Sequence, residues 1–212
     1  MDWILANTGR IAELTLDHAA LSLPAVLAAF LLSVPLAVLA NRLRPLREPI
    51  VSGMGLLYAV PSLPLFIVLP IILGTGIRDP LNAVAALTLF GMALMVRSAA
   101  EALDAVSAEV RLAAAAQGCS SWGRIWTVDL PLAGPAMLAG LRVVSVSTIS
   151  LATVSAVLGV PSLGSLFTDG FQRGIMESVL AGVVMTVVMA LILDLLLVLS
   201  GRLLMPWARR RA

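Results

Sequence analysis

The chain has no lysine, and all fourteen of its basic residues are arginine. A phosphate-binding loop of the GxxxxGK(S/T) kind needs its lysine, as do Schiff-base and pyridoxal sites, so ATP hydrolysis by such a loop is excluded and any ATP must be consumed by a partner. One cysteine, Cys119, and one histidine, His18, leave no internal disulfide and no His/Cys metal cluster. Charged residues make up only 12 % of the 212, too few to coat a water-soluble core. What is abundant is apolar: 60 % of the chain, with a mean hydropathy of +1.03. The bilayer is therefore the expected solvent. In so apolar a chain a pI near 9.5 points to membrane topology rather than to nucleic acid.

About 20 apolar residues are needed to cross the hydrocarbon as a helix. Gaps between charges predict an all-α integral membrane protein with five spans, at about 19–40, 50–73, 81–103, 135–158 and 176–199. Pro61, Pro64 and Pro70 interrupt the second and are expected to kink or break it near mid-membrane. Eleven arginines, among them Arg42, Arg44, Arg47, Arg111, Arg124 and the tail Arg209, Arg210 and Arg211, fall on one side; only Arg10, Arg78 and Arg173 fall on the other. The positive-inside rule then puts the N-terminal segment 1–17 outside and the basic tail 201–212 in the cytoplasm. Segment 1–17 lacks the basic start of a signal peptide, so the first span is expected to stay in the membrane.

The loop between spans three and four, residues 105–131, reads as two short helices joined by a glycine. The first, about 108–117, carries Ala113 to Ala116, a helix former with little side-chain bulk. Gly118 supplies the positive φ that ends a helix without a Cβ penalty. Ser120 or Ser121 can cap the second helix, where Trp122, Ile125 and Trp126 share a face, and Val128, Leu130 and Pro131 close it before the membrane is re-entered. Such a small-faced helix suits another protein's groove. The alternative is an interfacial amphipathic linker anchored by its tryptophans.

The segment Leu112-Ala113-Ala114, three residues, Gly118, nine residues, then Val128-Asp129-Leu130-Pro131 resembles the EAA loop of binding-protein-dependent ABC importer permeases. Ala59-Val60-Pro61-Ser62-Leu63, Gly74-Thr75-Gly76-Ile77, Pro131-Leu132-Ala133-Gly134-Pro135, Gly140-Leu141-Arg142 and Gly159-Val160-Pro161-Ser162-Leu163-Gly164 are similar to segments of the glycine betaine/choline osmoprotectant subfamily. Residues 18–200 are covered. The resemblance implies a type I, MetI-like permease in a bacterial cytoplasmic membrane that works with a second permease chain, two ATPase subunits holding ATP and Mg, and an extracytoplasmic binding protein. This chain itself would bind no cofactor and catalyse nothing. Leu112, Ala113, Ala114, Gly118, Val128, Leu130 and Pro131 would form the ATPase-coupling loop, and Gly159, Pro161 and Gly164 an outer loop. Two departures stand out. Leu112 replaces the usual Glu, removing any salt bridge that Glu makes, and Pro161-Ser162 replace the more usual Gly-Gly, which stiffens the outer loop.

The implied function is ATP-driven uptake of a small compatible solute by alternating access. A permease for another small solute such as an amino acid, or a stand-alone secondary transporter, are the alternatives. Tyr58, Pro61, Ser62 and Pro64, around the broken second span, are expected to line the pathway. Tyr58, Phe66 and Phe90 are too few for an aromatic cage, so selectivity is expected to reside in the binding protein. Asp194 reads either as a functional intramembrane carboxylate or, better, as a clamp to a neighbouring helix or to Arg202. Arg142 is expected to snorkel to the cytoplasmic interface, and His18 to be a hydrogen-bonding residue without chemistry.

Overall fold

A computed structural model describes residues 2–211, the side chains of Arg209, Arg210 and Arg211 excepted; those tail arginines, with Met1 and Ala212, lie outside the described side chains. Among the described residues the fold is all helical. A short α1 (Asp2–Ala6) leads into α2 (Thr8–Arg42), which is followed by α3 (Arg44–Tyr58), α4 (Ser62–Leu73) and α5 (Pro80–Asp104). Next come α6 (Ala108–Ala116), α7 (Ser121–Arg124), α8 (Leu130–Ala152), α9 (Gly164–Arg173) and α10 (Met176–Leu204). Among the described residues four helical stretches, Thr8–Arg42, Pro80–Asp104, Ser121–Leu158 and Met176–Leu204, are long and apolar enough to cross a membrane.

The second expected span is broken into an elbow: the chain bends by 106° between α3 and α4. At about 1.5 Å per residue neither arm alone covers a hydrocarbon core of about 30 Å. The pair counts as a fifth crossing only if its two arms are taken together. Of the three prolines expected to interrupt it, Pro61 makes the break, with φ −59° and ψ 135°. Pro64 falls in the first turn of α4, where an N–H would find no helical acceptor anyway, and Pro70 sits inside α4 without ending it.

Two expected boundaries also move. The fourth span begins before Pro135, because a π-helical turn, Ile125–Asp129, joins α7 to α8 without a gap, and Leu130 N–H reaches back to Ile125 O. The expected outer loop is partly a helix, α9, reached through a 3-10 turn, Thr153–Leu158.

The bundle centre is α2, α5 and α8, and it is built from small residues. Ala25, Ala29, Ala37, Ala40, Ala86, Ala99 and Ala100 are fully buried. A Cβ on Gly91 of α5 would stand 2.7 Å from that of Ala29, and one on Gly140 of α8 would collide with Ser98. Lipid tails are as apolar as leucine, so helices in a bilayer gain more from close backbone approach than from hiding large side chains. The large ones point outward, as Leu191, Ile192, Leu195 and Leu196 do on α10.

The two ambiguous intramembrane charges resolve each other. Arg142 Nε and Nη2 donate to the two carboxylate oxygens of Asp194 at 2.6 and 2.8 Å, a bidentate clamp from α8 to α10. Arg142 is thus tied to α10, and the partner of Asp194 on the neighbouring helix is Arg142. Exchanging the charges, Arg142→Asp with Asp194→Arg, is expected to recover thermal stability that either single change loses, measured by unfolding in detergent. Additive losses would show that the pair does not couple the helices.

Gly164 carries a second constraint: a Cβ there would fall on the backbone carbonyl of Thr153, which cannot swing aside as a side chain can. Gly164→Ala should cost about 2 kcal/mol or more. Gly53→Ala, with nothing within 4 Å of the added methyl, should be neutral or slightly stabilising in the same unfolding assay.

Candidate functional site

Two features are built on the continuous rod of α7, the π turn and α8. One is an exposed tip at the arginine-rich end, and the other is a groove at the rod's far end.

The tip begins at Ser107, whose side chain accepts from Val110 N–H and caps α6. α6 ends in a Schellman turn: Cys119 N–H donates to Ala114 O at 3.1 Å and Gly118 N–H to Ala115 O at 3.0 Å, with Gly118 at φ +84°. Nothing lies within 4 Å of where a Cβ on Gly118 would stand, so glycine is required there by conformation alone. Of the two candidate caps for α7, Ser120 does the work, accepting from Gly123 N–H at 3.0 Å.

The motif residues separate into two groups. Leu112, Ala113 and Gly118 are exposed, whereas Ala114 is buried and Val128, Leu130 and Pro131 are half-buried at the base. Trp122 and Trp126 pack edge to face with centroids 6.3 Å apart, but Ile125 turns into the core instead of sharing their face, because the π turn alters the helical register there.

An ion cluster that sequence reasoning missed holds the base. Asp129 is buried and accepts from Arg111 Nε at 3.1 Å and Arg124 Nε at 3.4 Å. Arg111 also donates to Leu103 O at the end of α5. The available signal was that Asp129 is the sole acid between Glu109 and Asp169, flanked by two arginines. Arg42 lies over the Trp122 ring at 5.0 Å and donates to Ser121 O, while Arg47 pairs with Asp104 and Glu48. Trp207 completes the base. Proline at 135 has no N–H for the carbonyl one turn back at Pro131, and the Trp207 indole N–H donates to that carbonyl at 3.1 Å.

The groove, of about 590 Å³, opens between the end of α3, the middle of α5 and the far half of α8. Tyr58 and Phe90 meet edge to face across it at 6.1 Å, and Ser147, Thr148, Ser150 and Thr153 add hydroxyl-bearing residues. Among the described residues no charged one lines it. Of the four expected lining residues only Tyr58 is present; Pro61, Ser62 and Pro64 form the elbow and the first turn of α4 instead. Phe66 is buried against α5 and does not line it either.

At the same end, Gly159 adopts φ +81°, Pro161 is exposed, and Ser162 and Leu163 are fully buried. Ser162 and Ser165 cap α9 reciprocally, through Gly164 N–H to Ser162 Oγ at 3.2 Å and Ser162 N–H to Ser165 Oγ at 3.3 Å. His18 is fully buried inside α2 and ties this turn to α8. Its Nδ1 accepts from Leu163 N–H at 3.3 Å, which leaves Nε2–H to donate to Ile149 O at 3.0 Å. The imidazole is a neutral strut.

Comparison with known proteins bears on the same architecture. The osmoprotectant import permease protein OsmW of Salmonella typhimurium is 34 % identical over 79 % of this chain and 79 % of its own length. The glycine betaine/carnitine/choline transport system permease protein OpuCB of Bacillus subtilis is 26 % identical over 77 % of this chain and 74 % of its own. In fold, the chain superposes on a chain of the inward-facing MetNI methionine ABC transporter with a TM-score of 0.75, covering 92 % of this chain and 94 % of that one at 19 % identity. A family model matches residues 29–210, and with that match and the helical fold the chain belongs to the binding-protein-dependent transport system inner membrane components.

Proposed function

We propose that the chain is the permease subunit of an ABC importer that moves a small quaternary amine such as glycine betaine, choline or carnitine into the cytoplasm. The observation that carries this reading is mechanical. The helical rod Ser121–Leu158 starts at the exposed tip and ends beside the groove, so one element links a docking surface to a solute-sized space. At about 1.5 Å per residue the rod is longer than the hydrocarbon is thick. An ATPase subunit seated on the tip would tilt the rod and with it Ser147 to Val154, giving alternating access.

In this reading the N-terminus lies outside a bacterial cytoplasmic membrane and the arginine-rich end faces the cytoplasm. The assembly contains a second permease chain, two ATPase subunits binding ATP and Mg, and an extracytoplasmic binding protein. The groove supports the substrate class. Two aromatic rings attract a diffuse cation, and hydroxyl groups suit the carboxylate or hydroxyl of a betaine or choline. A primary ammonium, as in an amino acid, is better held by a carboxylate, and among the described residues none lines the groove. Two rings and no ion pair make for weak binding, which leaves selection to the binding protein. The names of OsmW and OpuCB point to the same class of solute.

Gly118→Val forces a β-branched residue into the left-handed region at a cost of about 1–2 kcal/mol and should unwind the Schellman turn. Uptake by membrane vesicles should fall at least about tenfold while the amount of inserted protein is unchanged. Normal uptake by this variant would refute a coupling role for the loop. With the ATPase and binding protein co-purified, betaines, choline or carnitine should stimulate ATP hydrolysis where amino acids do not, and Phe90→Leu should raise the half-saturating concentration about tenfold. If no quaternary amine stimulates hydrolysis, the substrate assignment is wrong though the mechanism stands.

A further inference from the structure

Leu112, where the resembling family usually has glutamate, gains a specific meaning from its surroundings. Residues 112–123 contain no charge at all. Of the flanking arginines, Arg111 and Arg124 are drawn to buried Asp129, and Arg42, itself exposed, is laid on Trp122 and Ser121. From Leu112 to Ser121 the surface is apolar or neutral. Leu112 is 70 % exposed, Trp126 60 % and Trp122 59 %. Ala114 is buried, and two residues along a helix are about 200° apart, so Leu112 faces away from the bundle. Ala115 and Ala116, three and four positions on, extend the same smooth face.

We infer that the ATPase subunit receives this tip in an uncharged, apolar cleft, with Leu112 as the anchor in place of a salt bridge. The inference rests on the ATPase-docking role of the loop proposed above. A large exposed apolar surface is expensive in water and marks an interface. The bilayer surface is the poorer occupant, because a peripheral anchor presents arginines to anionic headgroups and here Arg111 and Arg124 are engaged by buried Asp129 while Arg42 lies against Trp122. Gln117, Ser120 and Ser121 are exposed beside the apolar residues and suit a protein partner better than hydrocarbon. The contact then depends on desolvation and packing, which salt does not screen. Glu109, one turn before Leu112, is the nearest exposed acid and lies in the first turn of α6, where the helix dipole favours its charge. It is a helix-stabilising residue here and not a substitute for the missing motif glutamate.

The chain's single cysteine allows a direct test. Cys119 is free and exposed at the tip, so a fluorophore placed on it in the nanodisc-embedded permease reports binding of the purified ATPase without other changes. Expected for the wild type is saturable binding whose affinity changes less than about threefold between about 0.1 and 0.5 M KCl. Leu112→Glu, although it restores the residue usual in the family, should weaken binding about a hundredfold by burying an unpaired carboxylate. Leu112→Ala should weaken it about tenfold and Glu109→Gln hardly at all. Tighter or unchanged binding by Leu112→Glu, a steep loss of wild-type affinity with salt, or a large effect of Glu109→Gln would overturn the apolar seat while leaving ATPase docking intact. If the wild-type tip is quenched by lipid vesicles and unaffected by the ATPase, the docking role of the loop falls as well.

Discussion

Hydrocarbon offers no hydrogen-bond partner, so every backbone group freed by a break in a helix has to be answered from within the protein. Much of the structure follows from this constraint. The tryptophan at 207 fills the place of the N–H that Pro135 lacks, which fastens the C-terminal tail to the base of α8. Ser162 and Ser165 answer each other's backbone at the start of α9, and His18 spends both ring nitrogens on the chain at Leu163 and Ile149. Where the chain turns sharply, left-handed glycines at 74, 118, 159 and 174 end the preceding helix. Polar residues inside the bundle are in large part the repair of backbone interruptions.

The charged residues obey the same economy. Asp129 with Arg111 and Arg124, Asp194 with Arg142, and Asp169 with Arg10 each join elements distant in sequence. Among the described residues no charged side chain lines the groove, and residues 112–121 at the loop tip carry none. A neutral groove can hold a solute weakly and release it, and a neutral tip can be read by shape. The rod from Ser121 to Leu158 joins the two without a flexible joint; its π turn shifts the register at Ile125 and leaves the helix unbroken.

Helix content was legible in the sequence because charge gaps and the bilayer thickness leave few alternatives, and Gly118 was legible because only a turn explains a glycine between a polyalanine helix and a serine cap. The elbow was half legible. Three prolines announced an interruption, but which one breaks the helix depends on which carbonyls stay paired, and Pro61 alone among them stands between two helices. α9 was hidden because its ten residues alternate small, polar and aromatic side chains, and it is held by burial of Leu166 and by Ser178 donating to Leu166 O from α10. Of the expected pathway residues only Tyr58 stands beside the groove, since that lining is decided by how α5 and α8 cross.

From its residues alone the chain was determined to be helical, to lie in apolar surroundings, and to carry a structured loop with a glycine turn, because hydropathy, charge spacing and backbone conformation are local or additive properties. Pairing was not local. That Arg142 answers Asp194 across 52 positions, that Asp129 binds two arginines, and that Tyr58 faces Phe90 over a neutral groove were decided only by how α3, α5, α6, α7, α8 and α10 pack together. Small side chains permit that packing, but its register emerges only when all the helices pack at once.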